Sequence, residues 1–142
     1  MKKLILILTC ALTICALAEE KTPTAPRGGH LINLDGQKAE FFVEPDRTVT
    51  IAFYDAAMKQ IPPAEYAVTA TAEAPGGKTK MDFAQKGNLL ASAAPFPAGD
   101  NYTVVLQIRS GTNGKPKNYR INFNTAVCAE CSKAEYACTC AH

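Results

Sequence analysis

Residues 102–109 read YTVVLQIR, and residues 118–124 read NYRINFN. In both stretches every second residue is large and apolar, and most of the residues between them are polar. Because successive side chains of a β-strand point to opposite faces, this alternation predicts two strands with one buried and one solvent-exposed face. The aromatic and β-branched residues at the apolar positions suit such a half-buried sheet.

The same alternation recurs through the chain. It is found over residues 38–44, 47–54 and 66–73, and in weaker form near 30–34, 78–83 and 88–93. Within 38–44, Phe41 belongs to the predicted buried face and Glu40 to the predicted solvent face. Short, evenly spaced strands with turn signals between them predict an all-β domain, a single antiparallel β-sandwich with immunoglobulin-like topology.

The first residues have a different character. Lys2 and Lys3 precede an apolar run over residues 4–14, and Ala16-Leu17-Ala18 follows it. This order predicts a secretory signal peptide over residues 1–18, cleaved after Ala18. The apolar run is shorter than the roughly 20 residues that a membrane span needs. A lipoprotein anchored at Cys15 is the alternative, although the bulky Ile14 before that cysteine departs from the lipidation pattern.

Cleavage would leave a protein of balanced charge. The chain has 15 Lys and Arg against 13 Asp and Glu. Removing Lys2 and Lys3 would give 13 of each, without a basic run. This composition lacks the electrostatic signature of a nucleic-acid-binding or anionic-membrane-binding protein.

We expect a periplasmic or secreted protein with a flexible lead-in over 19–29, a sandwich over 30–125 and a short tail over 126–142.

All cysteines of the predicted mature protein lie in this tail. Cys128 and Cys131 form a C-x-x-C pair, Cys138 and Cys140 form a C-x-C pair, and His142 follows. A C-x-x-C turn directs two sulfurs to one centre, and an extended C-x-C places two sulfurs on one face. A chain reversal through 132–137 would bring the two cysteine pairs together. The four cysteines and His142 therefore predict a site for Zn(II) or Cu(I), since thiolates suit both ions.

Two other interpretations of the tail remain open. Nested disulfides, Cys128–Cys140 and Cys131–Cys138, would staple the tail, and an exported protein meets an oxidising compartment that permits them. Redox activity is the third interpretation, although C-x-x-C normally opens a helix in a βαβ fold that this sequence lacks. His30, at the start of the first strand, is interpreted as an edge histidine rather than a ligand.

The opening of the predicted domain resembles that of known proteins. Residues 26–31 read PRGGHL, which resembles the Pro-x-Gly-Gly-x-Leu opening of periplasmic proteins associated with heavy-metal efflux. A histidine often stands there where Arg27 stands here, so the resemblance implies metal handling without assigning a ligand at this end.

Two functions follow from the sequence. The first is an exported metal-binding module that sequesters, delivers or is stabilised by Zn(II) or Cu(I). The second is a structural or interaction protein of the cell envelope, whose sandwich docks to a partner and whose tail is held by two disulfides. We expect no enzyme, because the sequence shows neither paired carboxylates nor a nucleophile–base spacing.

Overall fold

A computed structural model describes residues 23–140, which fold as β-strands without an α-helix. The predicted signal peptide and His142 lie outside this range. The nine strands are β1 (His30–Asn33), β2 (Lys38–Val43), β3 (Val49–Tyr54), β4 (Gln60–Ile61), β5 (Tyr66–Ala74), β6 (Gly77–Lys86), β7 (Leu89–Ser92), β8 (Tyr102–Ser110) and β9 (Lys117–Phe123). Two 3₁₀ helices complete the fold, Pro63–Glu65 and Glu135–Ala137.

The strands form two facing sheets joined by one bent strand. The hydrogen-bonded order is β1-β2-β3-β7-β6-β5-β8-β9, with β4 also on β3, and every pairing is antiparallel. The first half of β6 pairs with β5 and its second half with β7, so β6 crosses from one sheet to the other. Strands β2-β3-β7-β6 opposite β5-β8-β9 reproduce the immunoglobulin-like arrangement. The predicted fold is thereby confirmed.

Aromatic rings fill the space between the sheets. Phe41, Phe53 and Phe123 are completely buried. The Phe41 ring of β2 meets the Phe123 ring of β9 edge to face, with centroids 6.5 Å apart. Such contacts between rings on opposite sheets add to the free energy gained by burying their area. The alternation expected for β8 is confirmed, since Tyr102, Val104, Leu106 and Ile108 are all buried.

The prediction for Glu40 is wrong. Its side chain is completely buried although it lies on the outer face of β2. Residues 23–29, which we call the N-terminal segment, cover this face. The Glu40 carboxylate accepts hydrogen bonds from the backbone N–H groups of Arg27 (2.9 Å) and Gly29 (2.8 Å) and from the Tyr54 hydroxyl (2.7 Å). These bonds satisfy a buried charge that would otherwise be strongly unfavourable.

The N-terminal segment is held by its arginine as well. The Arg27 guanidinium pairs with Glu44 at 2.6 Å, donates to the Thr50 hydroxyl at 2.6 Å and lies 4.3 Å from the centre of the Phe42 ring. This described part of the predicted lead-in therefore packs on β2 and β3. No helix within residues 23–140 is long and apolar enough to cross a membrane.

Candidate metal centre

The four tail cysteines converge on one point of the structure. The Sγ atoms of these cysteines all lie within 4.8 Å of one another: Cys128, Cys131, Cys138 and Cys140. The Cys138 sulfur is 3.3 Å from that of Cys128 and 3.6 Å from that of Cys131. We call these four residues the cysteine cluster. It contains four of the five predicted ligands, and the fifth, His142, is outside the described residues.

A tight loop presents the first two cysteines. Val127 and Ala134 form an antiparallel bridge, and between them the Cys128 N–H donates to the Lys133 carbonyl at 2.7 Å. The Ser132 N–H donates back to the Cys128 carbonyl at 2.9 Å. Ser132 has a φ of 58°, the left-handed region that an L-residue enters at a cost of about 1–2 kcal/mol. The turn is closed by local bonds that direct both sulfurs of C-x-x-C to one side.

Backbone amides of this loop point at the sulfurs. The N–H groups of Cys131 and Glu130 donate to the Cys128 sulfur and lower its pKa. The N–H of Lys133 likewise lowers the pKa of Cys131. Because hydrogen bonds to the charged form favour it, the loop stabilises these two residues as thiolates, the form that binds a metal ion.

The other pair retains its protons more strongly. The pKa of Cys140 is raised, chiefly because its thiol donates a hydrogen bond to Cys138. The N–H of Cys140 lowers the pKa of Cys138, but burial and hydrogen bonding with the side chains of Cys128 and Cys131 outweigh it and raise the pKa. Four adjacent thiolates would repel one another, so protons are held between them. A bound cation would replace those protons as the group that draws the sulfurs together.

The distances match metal ligation better than an existing sulfur–sulfur bond. A tetrahedral site with Zn–S bonds of about 2.3 Å places its sulfurs about 3.8 Å apart. The sulfur–sulfur separations of 3.3 and 3.6 Å and the upper limit of 4.8 Å bracket that value. A disulfide requires about 2.05 Å. The cluster could therefore hold a single metal ion with small adjustments of the side chains.

Tyr136 fastens the cluster to the sandwich. It lies in the 3₁₀ helix between the two cysteine pairs and is 7% exposed. Its ring lies 5.9 Å from the Phe41 ring, and its hydroxyl accepts a hydrogen bond from the Val43 N–H at 3.1 Å. The 3₁₀ helix ends with the Cys138 N–H donating to the Glu135 carbonyl at 3.2 Å. Burial of the Tyr136 ring therefore fixes the position of Cys138, two residues further along the chain, next to Cys128.

His30 lies near the tail but outside the cysteine cluster. Its ring donates to the Tyr136 backbone carbonyl, and burial lowers its pKa despite that bond. The group of potential ligand atoms found within residues 23–140 contains the four cysteines alone.

No protein-family model, no curated protein and no solved structure matches the chain. The function therefore has to be argued from the chemistry of the site.

Sequence reasoning found the cysteines and missed the residues that arrange them. Tyr136 is a single aromatic in a polar stretch, with no periodicity that would mark it as part of the core. Ser132 occupies a left-handed position for which glycine or asparagine is the usual signal. Only the position of Ser132 directly after a C-x-x-C pair could have suggested that conformation.

Proposed function

We propose that this protein is an exported module that binds one Zn(II) or Cu(I) ion through the thiolates of Cys128, Cys131, Cys138 and Cys140. The supporting observation is the convergence of all four Sγ atoms within 4.8 Å on a loop whose amides favour thiolates. The secretory signal expected at residues 1–18 supports a periplasmic or secreted location. The role we propose is binding, for sequestration, delivery or stabilisation of the fold, and not catalysis.

The two ions make different demands on the cluster. Zn(II) takes four ligands in a tetrahedron, whereas soft Cu(I) is well served by the same thiolates in smaller number. If the bound ion is Zn(II), removal of any one of the four cysteines should therefore lower the affinity of the protein for it. Cu(I) would tolerate the loss of one.

Elemental analysis with thiol counting tests the proposal. The protein is prepared without oxygen, and metal content is measured before and after exchange into a strong chelator. We expect about one equivalent of metal and four alkylatable thiols after chelation, and Cys128→Ser should bind Zn(II) more weakly than the unaltered protein does. Ser110→Ala, at the end of β8, is the matched control and should bind as the unaltered protein does.

Proton competition provides a second measurement. Metal binding requires thiolates and releases protons, so the apparent affinity should fall as the pH is lowered from 7 to 5. Protein that carries no metal, takes up none when reduced, and shows no pH-dependent uptake would contradict the proposal.

A disulfide-stapled interaction protein is the second candidate. The separation of 3.3 Å between the Cys138 and Cys128 sulfurs supports it, because an oxidant could join a pair already so close. Intact mass decides between the two functions. A loss of four hydrogens without bound metal supports the staple, and peptide mapping would show whether the pairing is the nested one.

A further inference from the structure

Cys138 touches both sulfurs of the C-x-x-C pair. Its sulfur is 3.3 Å from that of Cys128 and 3.6 Å from that of Cys131, so of these two the Cys128 sulfur is the nearer. The Cys138 sulfur also accepts a hydrogen bond from the Cys140 backbone N–H at 3.4 Å. A disulfide between Cys138 and Cys128 would need the two sulfurs to approach by only about 1.3 Å, which side-chain rotation can supply.

The other two cysteines form a second pair. The Cys140 thiol donates a hydrogen bond to the Cys131 sulfur. A first bond between Cys128 and Cys138 would therefore leave two sulfurs in contact that can form a second bond. We call this combination the crossed pairing. The nested pairing predicted from the sequence would instead join Cys131 to Cys138.

The sulfurs differ in their access to solvent. Cys128 is 1% exposed, whereas Cys131, Cys138 and Cys140 are half-buried. A small oxidant therefore reaches Cys138 more readily than Cys128. Because a sulfenic acid beside a second thiol condenses with it to a disulfide, the shielded Cys128 is placed to attack an oxidised Cys138 sulfur.

Both bonds of the crossed pairing would join the loop that carries C-x-x-C to the segment that carries C-x-C. A bound metal ion would join the same two parts, on either side of the buried Tyr136. Oxidation would thus remove the thiolates that bind the ion and still hold the tail on the sandwich. The metal-bound and the oxidised states therefore require the same fold.

We propose that the cysteine cluster is a redox switch, in which a hydroperoxide joins Cys128 to Cys138 and releases the bound Zn(II). Cys131 and Cys140 then form the second bond. The inference rests on the function proposed above and names the regulation of that site.

The chemistry is the same for each bond. One thiolate attacks the peroxide, the O–O bond breaks and a sulfenic acid forms. The partner thiolate attacks that sulfur, the S–O bond breaks and the oxygen leaves as water. With hydrogen peroxide, two molecules of oxidant, four thiolates and four protons give two disulfides and four molecules of water. Zn(II) leaves without a change in its oxidation state.

Zinc release to a chromogenic chelator tests the switch on reduced protein loaded with Zn(II). Two equivalents of hydrogen peroxide should release the zinc and lower the intact mass of the chain by four hydrogens, and dithiothreitol should restore binding. The oxidised protein should melt above the reduced, metal-free protein, because its tail stays cross-linked. Zinc that stays bound under peroxide, or that leaves only as the domain unfolds, would overturn the proposal. Reduced protein that takes up no metal would instead remove the proposed function, and this inference with it.

Disulfide mapping tests the crossed pairing in the oxidised protein. Cleavage after Glu130 and after Lys133 places Cys128, Cys131 and the C-x-C segment on three different peptides. Fragmentation within the C-x-C segment then assigns its two cysteines. Nested bonds, or bonds within either motif, would overturn the proposed pairing.

Two double variants measure the same preference without metal. Cys131→Ser/Cys140→Ser retains Cys128 with Cys138, and its control Cys131→Ser/Cys138→Ser retains Cys128 with Cys140. In a dithiothreitol redox buffer, the first should form its disulfide with an equilibrium constant about tenfold larger, because its two sulfurs already lie 3.3 Å apart. Equal constants for the two variants would contradict the proposed pairing.

Discussion

Backbone geometry explains why two glycines, Gly28 and Gly29, stand side by side in the N-terminal segment. Gly28 has a φ of 80°, in the left-handed region that glycine enters without strain. A Cβ atom on Gly29 would lie 2.4 Å from the Phe41 carbonyl oxygen, much closer than van der Waals contact allows. In this chain the two glycines let the N-terminal segment approach β2 closely enough to bond the buried Glu40.

Gly29→Ala should therefore destabilise the domain by about 2 kcal/mol, through overpacking against a backbone atom that cannot move away alone. Urea unfolding measures the change. Gly76→Ala is the matched control, because its added Cβ meets nothing within 4 Å and the residue has no positive φ. Similar unfolding midpoints for the two variants would show that the N-terminal segment shifts freely.

Ser132 poses the opposite backbone problem, a residue with a Cβ where glycine would fit better. Its φ of 58° places it in the left-handed region. Ser132→Gly should stabilise the 128–133 loop and raise the free energy of unfolding by about 0.5–1 kcal/mol. The control Ser110→Gly, at the end of β8 and without a positive φ, should not raise it, because glycine there relieves no strain and loses more backbone freedom on folding. Differential denaturation of the metal-free, reduced proteins compares the two, and destabilisation by Ser132→Gly would contradict the assignment.

At the scale of elements, the tail is the part of the fold that strand patterns do not describe. It consists of the bridge between Val127 and Ala134 followed by the 3₁₀ helix Glu135–Ala137. Neither piece has enough internal hydrogen bonds to stand alone. Tyr136 and Ala137 belong to the hydrophobic core, so the sandwich supplies the energy that positions the cysteines.

Tyr136→Ala should consequently weaken metal binding although it removes no ligand. Loss of the buried ring costs about 3–5 kcal/mol of folding free energy, as for other aromatic truncations, and frees the chain between the two cysteine pairs. We expect at least tenfold weaker metal affinity by competition titration. Tyr136→Phe keeps the ring and removes only the acceptor for the Val43 N–H, so its affinity should stay within about threefold of the original. Unchanged affinity in Tyr136→Ala would mean that the cysteine loop assembles independently.

For the whole molecule, the two ends of the described chain meet beside the same edge of the sandwich. His30 in β1 donates to the Tyr136 carbonyl, and the N-terminal segment and the tail line one cavity. A ligand that holds the tail in place should therefore stabilise the domain as a unit. At a free metal concentration one hundred times the dissociation constant, this linkage amounts to about 2.7 kcal/mol.

Chelation should accordingly lower the thermal midpoint of the entire domain, and readdition of metal to the reduced protein should restore it. Calorimetry with and without chelator measures the effect. For the Zn(II) protein, Cys128→Ser should show the lower midpoint under both conditions. A midpoint that chelator leaves unchanged, in protein shown to contain metal, would separate the metal centre from the stability of the sandwich.

The pH dependence of the metal-free, reduced protein reports on His30. Burial lowers the pKa of His30 in the folded state below its ordinary value of 6.5. The unfolded chain thus takes up a proton first as the pH falls, and stability should decrease below about pH 6.5 until the folded pKa is passed. His30→Gln should flatten this part of the profile in urea titrations. The control Asp46→Asn should change the pH dependence of stability only at more acidic pH, because the Thr48 hydrogen bond lowers the pKa of Asp46.

The sequence by itself determined most of the strands, the all-β sandwich and which four cysteines could form one cluster. Alternation of side chains along a strand is a local property, so residues 102–109 reveal their buried face without reference to the rest of the fold. Only the tertiary structure decided that Glu40 is buried, that Tyr136 enters the core and that four sulfurs lie within 4.8 Å. Each of these outcomes depends on contacts between residues far apart in the chain. The N-terminal segment covers Glu40, and the rings of Phe41 and Phe123 receive Tyr136.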